Sequence, residues 1–288
     1  MQLETSLPFD WQRLASFFSG RATPGVEVVD GDTYHRTLDT GDGHVVVSVR
    51  PGDRPEHLSI SINGGTDEVK CALATQARTV FDLDAPIDEI RDVLRADRVL
   101  SGMLERNAGV RVPGAWEPFE LTVRAILGQQ ISVKAATTLA GRIAQRYGAP
   151  LTLDRAAGGL NRLFPTAERL ARARFRDIGI VRSRAQTIRD LSSAVVGGDI
   201  CFTDGTTTET RQALESIRGI GSWTSQYVAM RALRDPDAFP GSDLGLVSAI
   251  AHPDRVSPKE LVERANAWRP WRAYAAMLLW NSLPGSGG

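Results

Sequence analysis

The chain has 288 residues, with 34 Lys+Arg against 34 Asp+Glu, a formal net charge of zero and two cysteines. That length suits one large domain or two ordinary ones with core enough to fold unaided, and two cysteines exclude a disulfide framework or a four-thiolate zinc or iron–sulfur site. Net neutrality counts against a nucleic-acid partner only until the charge is resolved along the chain. Residues 1–100 carry 10 basic and 17 acidic side chains, whereas residues 101–288 carry 24 and 17. The densest basic stretch, residues 161–190, holds eight arginines against three acids. Such a division points to an anionic partner for the second part, with a solvated helix face as the competing explanation.

Cys71 and Cys201 are expected to be buried small hydrophobes in a reduced compartment. The opening residues lack the basic-then-apolar pattern of a signal peptide and no stretch approaches roughly twenty apolar residues, so a soluble cytoplasmic protein with no membrane partner is expected. His35, His44, His57 and His252 have no metal-ligand spacing, and no metal is expected.

In chain order, Phe9–Phe18 spaces Trp11, Leu14, Phe17 and Phe18 on one helical face. Four β-like runs follow, Val26–Val29, Tyr34–Leu38, His44–Arg50 and Leu58–Asn63, separated by Gly-, Asp- and Asn-rich turns. The alternation in the last run predicts an antiparallel sheet with one covered face, and Asp67–Val80 predicts the helix that covers it. Asp82–Asp88 reads as a linker. Beyond it the pattern is helical to Asn281, with helices expected at Pro118–Leu127, Val133–Arg146, Thr166–Ala173, Ser183–Val196, Thr206–Ile217, Trp223–Leu233, Pro258–Ala267 and Trp271–Asn281. The fold class is α+β: a small antiparallel-sheet N-terminal domain, residues 1–86, followed by a helical domain, residues 87–288.

Between two of these helices, Gly219 and Gly221 flank Ile220. Two glycines let the backbone turn tightly and present N–H groups at the start of the next helix, where free donors and the helix dipole make an anion site. Ile220 is expected to tuck beneath the turn. An ordinary glycine-capped helix junction has the same local signature. Downstream, a helix and a proline-broken loop lead to Asp243, which either caps the helix starting near Leu244 or carries chemistry; the two roles are compatible. Asp235 and Asp237, flanking Pro236, are rival carboxylates. Trp223 and Tyr227, four residues apart, share a helix face, and Trp280 lies on the last helix; such aromatic residues are core or pocket wall.

Leu214–Met230 as a whole resembles the helix–hairpin–helix motif, which binds DNA backbone phosphate through the hairpin amides; Arg218 stands where the pattern usually has proline. The order of hairpin, helix, Gly/Pro-rich loop and Asp resembles the helix–hairpin–helix superfamily of base-excision DNA glycosylases, with Asp243 in the catalytic position. Trp223 occupies the place of the nucleophilic lysine of bifunctional members, and no lysine lies between Lys134 and Lys259. The resemblance therefore implies a monofunctional, water-using enzyme.

Closer still is the similarity to the 3-methyladenine DNA glycosylase II (AlkA type) family. It is carried by Asp10–Phe18 with Arg21–Glu27, by Val80–Asp84, Val123–Val133, Gly219–Met230 and Trp268–Trp280. It implies an N-terminal domain similar to half of the TATA-binding-protein fold, and a two-lobed all-α glycosylase domain with the cleft between the lobes. It implies a monomer that acts on double-stranded DNA containing alkylated bases, excises alkylated purines of the 3-methyladenine and 7-methylguanine type and leaves an abasic site. Alkylation at N3 or N7 gives a purine a positive charge that aromatic rings attract, and the nucleotide must be flipped out of the duplex to reach a pocket.

Carried onto this sequence, the resemblance makes Asp243 catalytic and Trp223, Tyr227 and Trp280 the base pocket. Arg218, Gly219, Ile220, Gly221, Ser222 and Thr224 of the hairpin become DNA-binding residues, with Gln129 and Gln130 of a wedge-forming turn. The best-known family pattern has an apolar residue where Gln130 stands. No cofactor is implied beyond a structural monovalent cation on the hairpin carbonyls. A non-catalytic helix–hairpin–helix DNA-binding protein and a monofunctional glycosylase for deaminated bases are the alternatives open at this point.

Overall fold

The computed structural model describes residues 1–153, 158–250 and 256–283; His252 and the tail Pro284–Gly288 lie outside the described residues. The first elements are β1 (Gln2–Glu4), α1 (Trp11–Ser19), β2 (Glu27–Asp30), β3 (Thr33–Asp39), β4 (His44–Pro51), β5 (His57–Asn63) and α2 (Asp67–Val80). The strands form one antiparallel sheet in the order β1-β5-β4-β3-β2. Strand β1 is too short to carry an alternating pattern of its own and is recruited by pairing with His57–Ser59.

Helices α1 and α2 share one apolar core with the sheet because their spacing presents Trp11, Leu14 and Phe18, and Leu73, Ala77 and Val80, to the inward residues Val45, Val47, Val49, Leu58 and Ile60. Phe81 sits at the centre of this core, its ring 5.4 Å from Phe18 and 5.6 Å from both Trp11 and Tyr34.

The remaining elements are α3 (Ile87–Leu94), α4 (Arg98–Arg106), α5 (Pro118–Gly128), α6 (Val133–Tyr147), α7 (Ala167–Ala171), α8 (Arg182–Gly197), α9 (Thr207–Ser216), α10 (Ser222–Arg231), α11 (Leu244–Ile250), α12 (Pro258–Ala265) and α13 (Arg272–Asn281). They bury their apolar faces in two separate clusters. One joins α5 to α9 and the middle of α10, through residues such as Ile126, Ile143, Ile188, Leu214 and Val228. The other joins α3, α4 and α11 to α13 with the end of α10, through Ile90, Leu100, Met230, Leu246, Trp268 and Leu278. Helix α10 therefore belongs to both lobes, and the groove between them runs along it. Capping residues fix several starts: Ser132 for α6, and reciprocal Thr206/Glu209 and Ser257/Glu260 capping boxes for α9 and α12.

A buried ionic network joins the sheet to the first lobe. Arg36 on β3 pairs with Glu27 on β2 at 2.6 Å and with Glu120 on α5 at 2.5 Å, and Arg124 pairs with the same two carboxylates at 2.9 and 3.1 Å. Tyr34 Oη donates to Glu27 at 2.7 Å. The expectation of buried cysteines is wrong: Cys71 lies outside the apolar stripe of α2 and Cys201 follows α8 in a loop, and both are exposed. Among the described residues, no helix is long and apolar enough to cross a membrane.

Candidate active site

The turn between α9 and α10 is a tight hairpin. Gly219 has φ +97°, a conformation that strains any side chain, and a Cβ there would lie 2.3 Å from Thr187 Oγ1 on α8. Thr187 uses that oxygen to donate to Arg218 O at 2.9 Å, so α8 clamps the turn. Ile220 is buried beneath it, in the core of the first lobe. Arg218, Gly219, Gly221 and Ser222 are exposed, which leaves the unpaired amides of the first turn of α10 facing solvent. Thr224 corrects the sequence reading: it is 1% exposed and its hydroxyl accepts from Gln129, so its side chain is spent inside the protein. The carbonyls of Ile217, Arg218 and Gly219 each already accept a hydrogen bond, from Ile220 N, Thr187 and Gln129, and a monovalent cation seated there would share them with those donors.

Gln129 and Gln130 separate into different roles. Gln129 Nε2 donates to Gly219 O at 2.9 Å and to Thr224 Oγ1 at 3.0 Å, while its own carbonyl accepts from Arg184 at 2.6 Å. Its amide group is thus committed to bracing the α5–α6 turn against the hairpin, which removes it from the residues free to grip DNA. Gln130 is exposed at the tip of the turn with φ +57°. Ile131 beside it and Val133 are exposed apolar side chains.

Asp243 lines a cleft of about 340 Å³ between the lobes, within the ~300–1,000 Å³ typical of small-molecule pockets. Both of its oxygens are held by indoles: Trp223 Nε1 donates to Oδ2 at 2.8 Å and Trp280 Nε1 to Oδ1 at 3.0 Å. Leu246 N also donates to Oδ1, at 3.0 Å, so the same carboxylate caps α11. Trp223 and Tyr227 are stacked, with centroids 5.5 Å apart and planes 7° apart, and Trp280 stands edge-on to Tyr227 at 6.1 Å. The rivals are occupied elsewhere: Asp235 accepts from Asp237 N, and Asp237 is paired with Arg269 and Arg272. No lysine lines the cleft, and no cluster of His, Cys, Asp or Glu able to hold a metal occurs among the described residues.

Residues 123–272 match the model of the HhH-GPD superfamily base excision DNA repair proteins, and residues 1–117 match that of the AlkA N-terminal domain. The chain belongs to the HhH-GPD superfamily. It is 34% identical over 285 residues to a probable bifunctional transcriptional activator/DNA repair enzyme AlkA of Mycobacterium tuberculosis, covering 98% of this chain and 57% of that one, so it spans little more than half the length of that relative. It is 31% identical over 281 residues to DNA-3-methyladenine glycosylase 2 of Escherichia coli, covering 95% of this chain and 94% of the other. The solved structure of a 3-methyladenine DNA-glycosylase from Archaeoglobus fulgidus has the same fold, with a TM-score of 0.84 at 23% identity and 98% of both chains covered.

The HhH-GPD cleft also takes residues from beyond the helical lobes, which the helical motifs did not mark as site residues. Phe17 and Arg21, on and just after α1, line it together with Arg124 and Arg231. Their signal in the sequence was the family-like stretch from Asp10 to Glu27, whose chemistry is invisible until α1 is docked. Gly245 was missed as well. A Cβ on it would lie 2.9 Å from Asp243 Oδ1 and 3.5 Å from the Trp280 ring. Gly245→Ala is therefore expected to push the carboxylate off Trp280 and slow the chemistry of this HhH-GPD site by about tenfold or more, since misplacement by ~1 Å costs up to ~100-fold. Single-turnover kinetics beside wild type, with circular dichroism to check folding, reads that outcome.

Proposed function

We propose that this protein is a monofunctional DNA glycosylase that excises alkylated purines of the 3-methyladenine and 7-methylguanine type from double-stranded DNA. The damaged nucleotide is flipped into the cleft and its N-glycosidic bond is hydrolysed, leaving an abasic site. The observation that carries this reading is the carboxylate of Asp243, fixed by two indole N–H donors in the wall of an aromatic cleft beside an exposed helix–hairpin–helix turn. The hairpin amides and the exposed Arg218 bind phosphate on the damaged strand, and Gln130, at the tip of its turn, fills the gap left in the stack. As the bond to the base lengthens, the sugar gains oxocarbenium character, and the preoriented negative charge in the pocket wall stabilises it and orients the attacking water. An alkylated purine already carries the positive charge that makes it a good leaving group. The absence of a lining lysine supports hydrolysis over Schiff-base chemistry. The protein acts as a monomer, and the site of action is the cytoplasm.

The test is incubation with methylated duplex DNA and measurement of free 3-methyladenine and 7-methylguanine; no release above background sinks the reading, and strand cleavage in the absence of added base sinks its monofunctional part. The exposed phosphate-facing charge is local, so the affinity for duplex DNA is expected to fall with salt at a slope of about two to four phosphates. A titration between low and physiological salt measures that slope, and a value typical of strongly basic DNA-binding proteins contradicts it.

A further inference from the structure

Tyr227 lines the cleft, and both protein partners of its hydroxyl are arginines. Arg231 Nη1 donates to it at 2.7 Å, and the Arg21 guanidinium also hydrogen-bonds to it. A guanidinium has donors and no acceptor. The phenolic oxygen therefore only accepts from these two neighbours, and its own proton is spent on neither. Among the described residues no other group accepts that proton. Trp223 stacks on the Tyr227 ring with planes 7° apart, which fixes the plane in which the hydroxyl lies. The neighbouring donors are committed. Trp223 and Trp280 give their indole N–H groups to Asp243, Arg124 is paired with Glu27 and Glu120, and Arg231 spends its other two nitrogens on Pro113 O and Gly114 O.

We infer that Tyr227 donates its hydroxyl as a hydrogen bond to a lone pair on the edge of the flipped purine, and that this bond strengthens as the base departs. The inference rests on the glycosylase reading for the identity of its ligand. Both proposed substrates keep such acceptors: N1 and N7 in 3-methyladenine, N3 and O6 in 7-methylguanine. While the glycosidic bond is whole, the alkylated purine is a cation and its lone pairs accept poorly. When the bond breaks, its electron pair passes to the ring, the positive charge is discharged and the same lone pairs accept better. The tyrosine proton stays on its own oxygen throughout. Such a donor favours the transition state over the bound substrate, the condition for acceleration. Arg21 and Arg231 act in the same sense, since cations beside the base favour a neutral ring over a charged one.

The charged groups that share the cleft wall with Tyr227 are Arg21, Arg124, Arg231 and Asp243. Burial alone would raise the pKa of the phenol, but Arg231, Arg21 and Arg124 outweigh it and hold it below the ordinary value near ~10. The hydroxyl is a stronger donor for it, and it loses its proton earlier as pH rises. Tyr227 touches the leaving group in this account; the sugar stays with Asp243.

The experiment compares free 3-methyladenine with its 1-deaza and 7-deaza analogues, in which C–H replaces one acceptor nitrogen at a time. Binding is read by quenching of tryptophan fluorescence, for wild type and Tyr227→Phe, from neutral pH upward. Wild type is expected to bind 3-methyladenine about 3- to 10-fold more tightly than one of the two analogues. That advantage disappears as pH rises through the lowered tyrosine pKa, because the phenolate has no proton to give. In Tyr227→Phe the three bases bind within about twofold of one another and the alkaline step is absent. Single-turnover release of 3-methyladenine from duplex DNA falls by about tenfold in the variant. Because the substitution also leaves Arg21 and Arg231 without that acceptor, the comparison of bases on wild type separates a donor from a structural role. Equal binding of the three bases by wild type, or binding of none, overturns the inference, as does a preference that survives in Tyr227→Phe. A preference lost in Tyr227→Phe, together with no release of base from DNA by wild type, supports the inference and sinks the glycosylase reading alone.

Discussion

Asp243→Asn is expected to slow base release by about 100- to 1,000-fold, the range for removing one preoriented electrostatic group, while the protein stays folded. The substitution separates the two roles of this side chain. An asparagine retains the oxygen that accepts from Trp280 Nε1 and Leu246 N, so α11 keeps its cap. What it loses is the negative charge, and the oxygen facing Trp223 Nε1 becomes an amide nitrogen that cannot accept. Leaving that indole without an acceptor costs about 1–3 kcal/mol, or roughly 2–4 °C of Tm per kcal/mol for a chain of this size. Single-turnover release beside thermal denaturation distinguishes a small loss of stability from a large loss of rate. Equal release by both proteins would leave Asp243 as a cap and nothing more.

The parts of this site that were legible in the sequence are those whose chemistry is local. Gly219 and Gly221 announce a turn because backbone conformation is a property of a few consecutive residues, and Trp223 and Tyr227 share a face because helical spacing fixes it. The strands and α2 were legible for the same reason, since period-two and helical patterns are written in adjacent positions. What could not be read were consequences of packing. Gln129 and Thr224 look like free polar groups in the sequence, and only the docking of the α5–α6 turn on the hairpin turns them toward each other. Arg21 lies far along the chain from the pocket walls that face it, which come from Leu121–Thr137 and from Trp223 onward. Gly245 matters only because the Asp243 carboxylate and the Trp280 ring, brought in by α13, crowd it. Within the basic stretch that the charge division picks out, Arg184 and Arg189 donate to protein carbonyls, so not every arginine counted there is free for an anionic partner.

Glu120→Ala is expected to destabilise the protein by about 3–5 kcal/mol, the cost of breaking a buried ion pair from one side. Glu27 and Glu120 balance Arg36 and Arg124, and all four side chains are largely or fully buried. Removing one carboxylate leaves two guanidiniums facing one acid. Removing one charge of each sign leaves Glu27 and Arg124 as a neutral pair, and it also relieves Arg36 Nε, which is buried without a hydrogen-bond partner. The Arg36→Met, Glu120→Leu double variant is therefore expected to be more stable than Glu120→Ala alone, the opposite of additive loss. Urea denaturation of the three proteins checks this ordering, and a double variant weaker than the single one contradicts it.

The network also sets an acid limit. Burial alone would raise the Glu27 pKa, but Arg124 and Arg36 outweigh it and hold the carboxyl at about 2, below the ordinary carboxylate value near ~4.3. Between those two values the unfolded chain binds the proton and the folded one does not, so stability rises with pH across that interval. The contribution is whole above the ordinary value and is lost as pH falls toward 2. Because Arg124 lines the cleft and donates to the carbonyl of Arg21, loosening the network should disturb the cleft before the chain unfolds. Denaturation midpoints measured from pH 7 down to pH 3, with tryptophan quenching by free base followed in the same samples, would register that order; midpoints unchanged over the range would show that the network adds no stability.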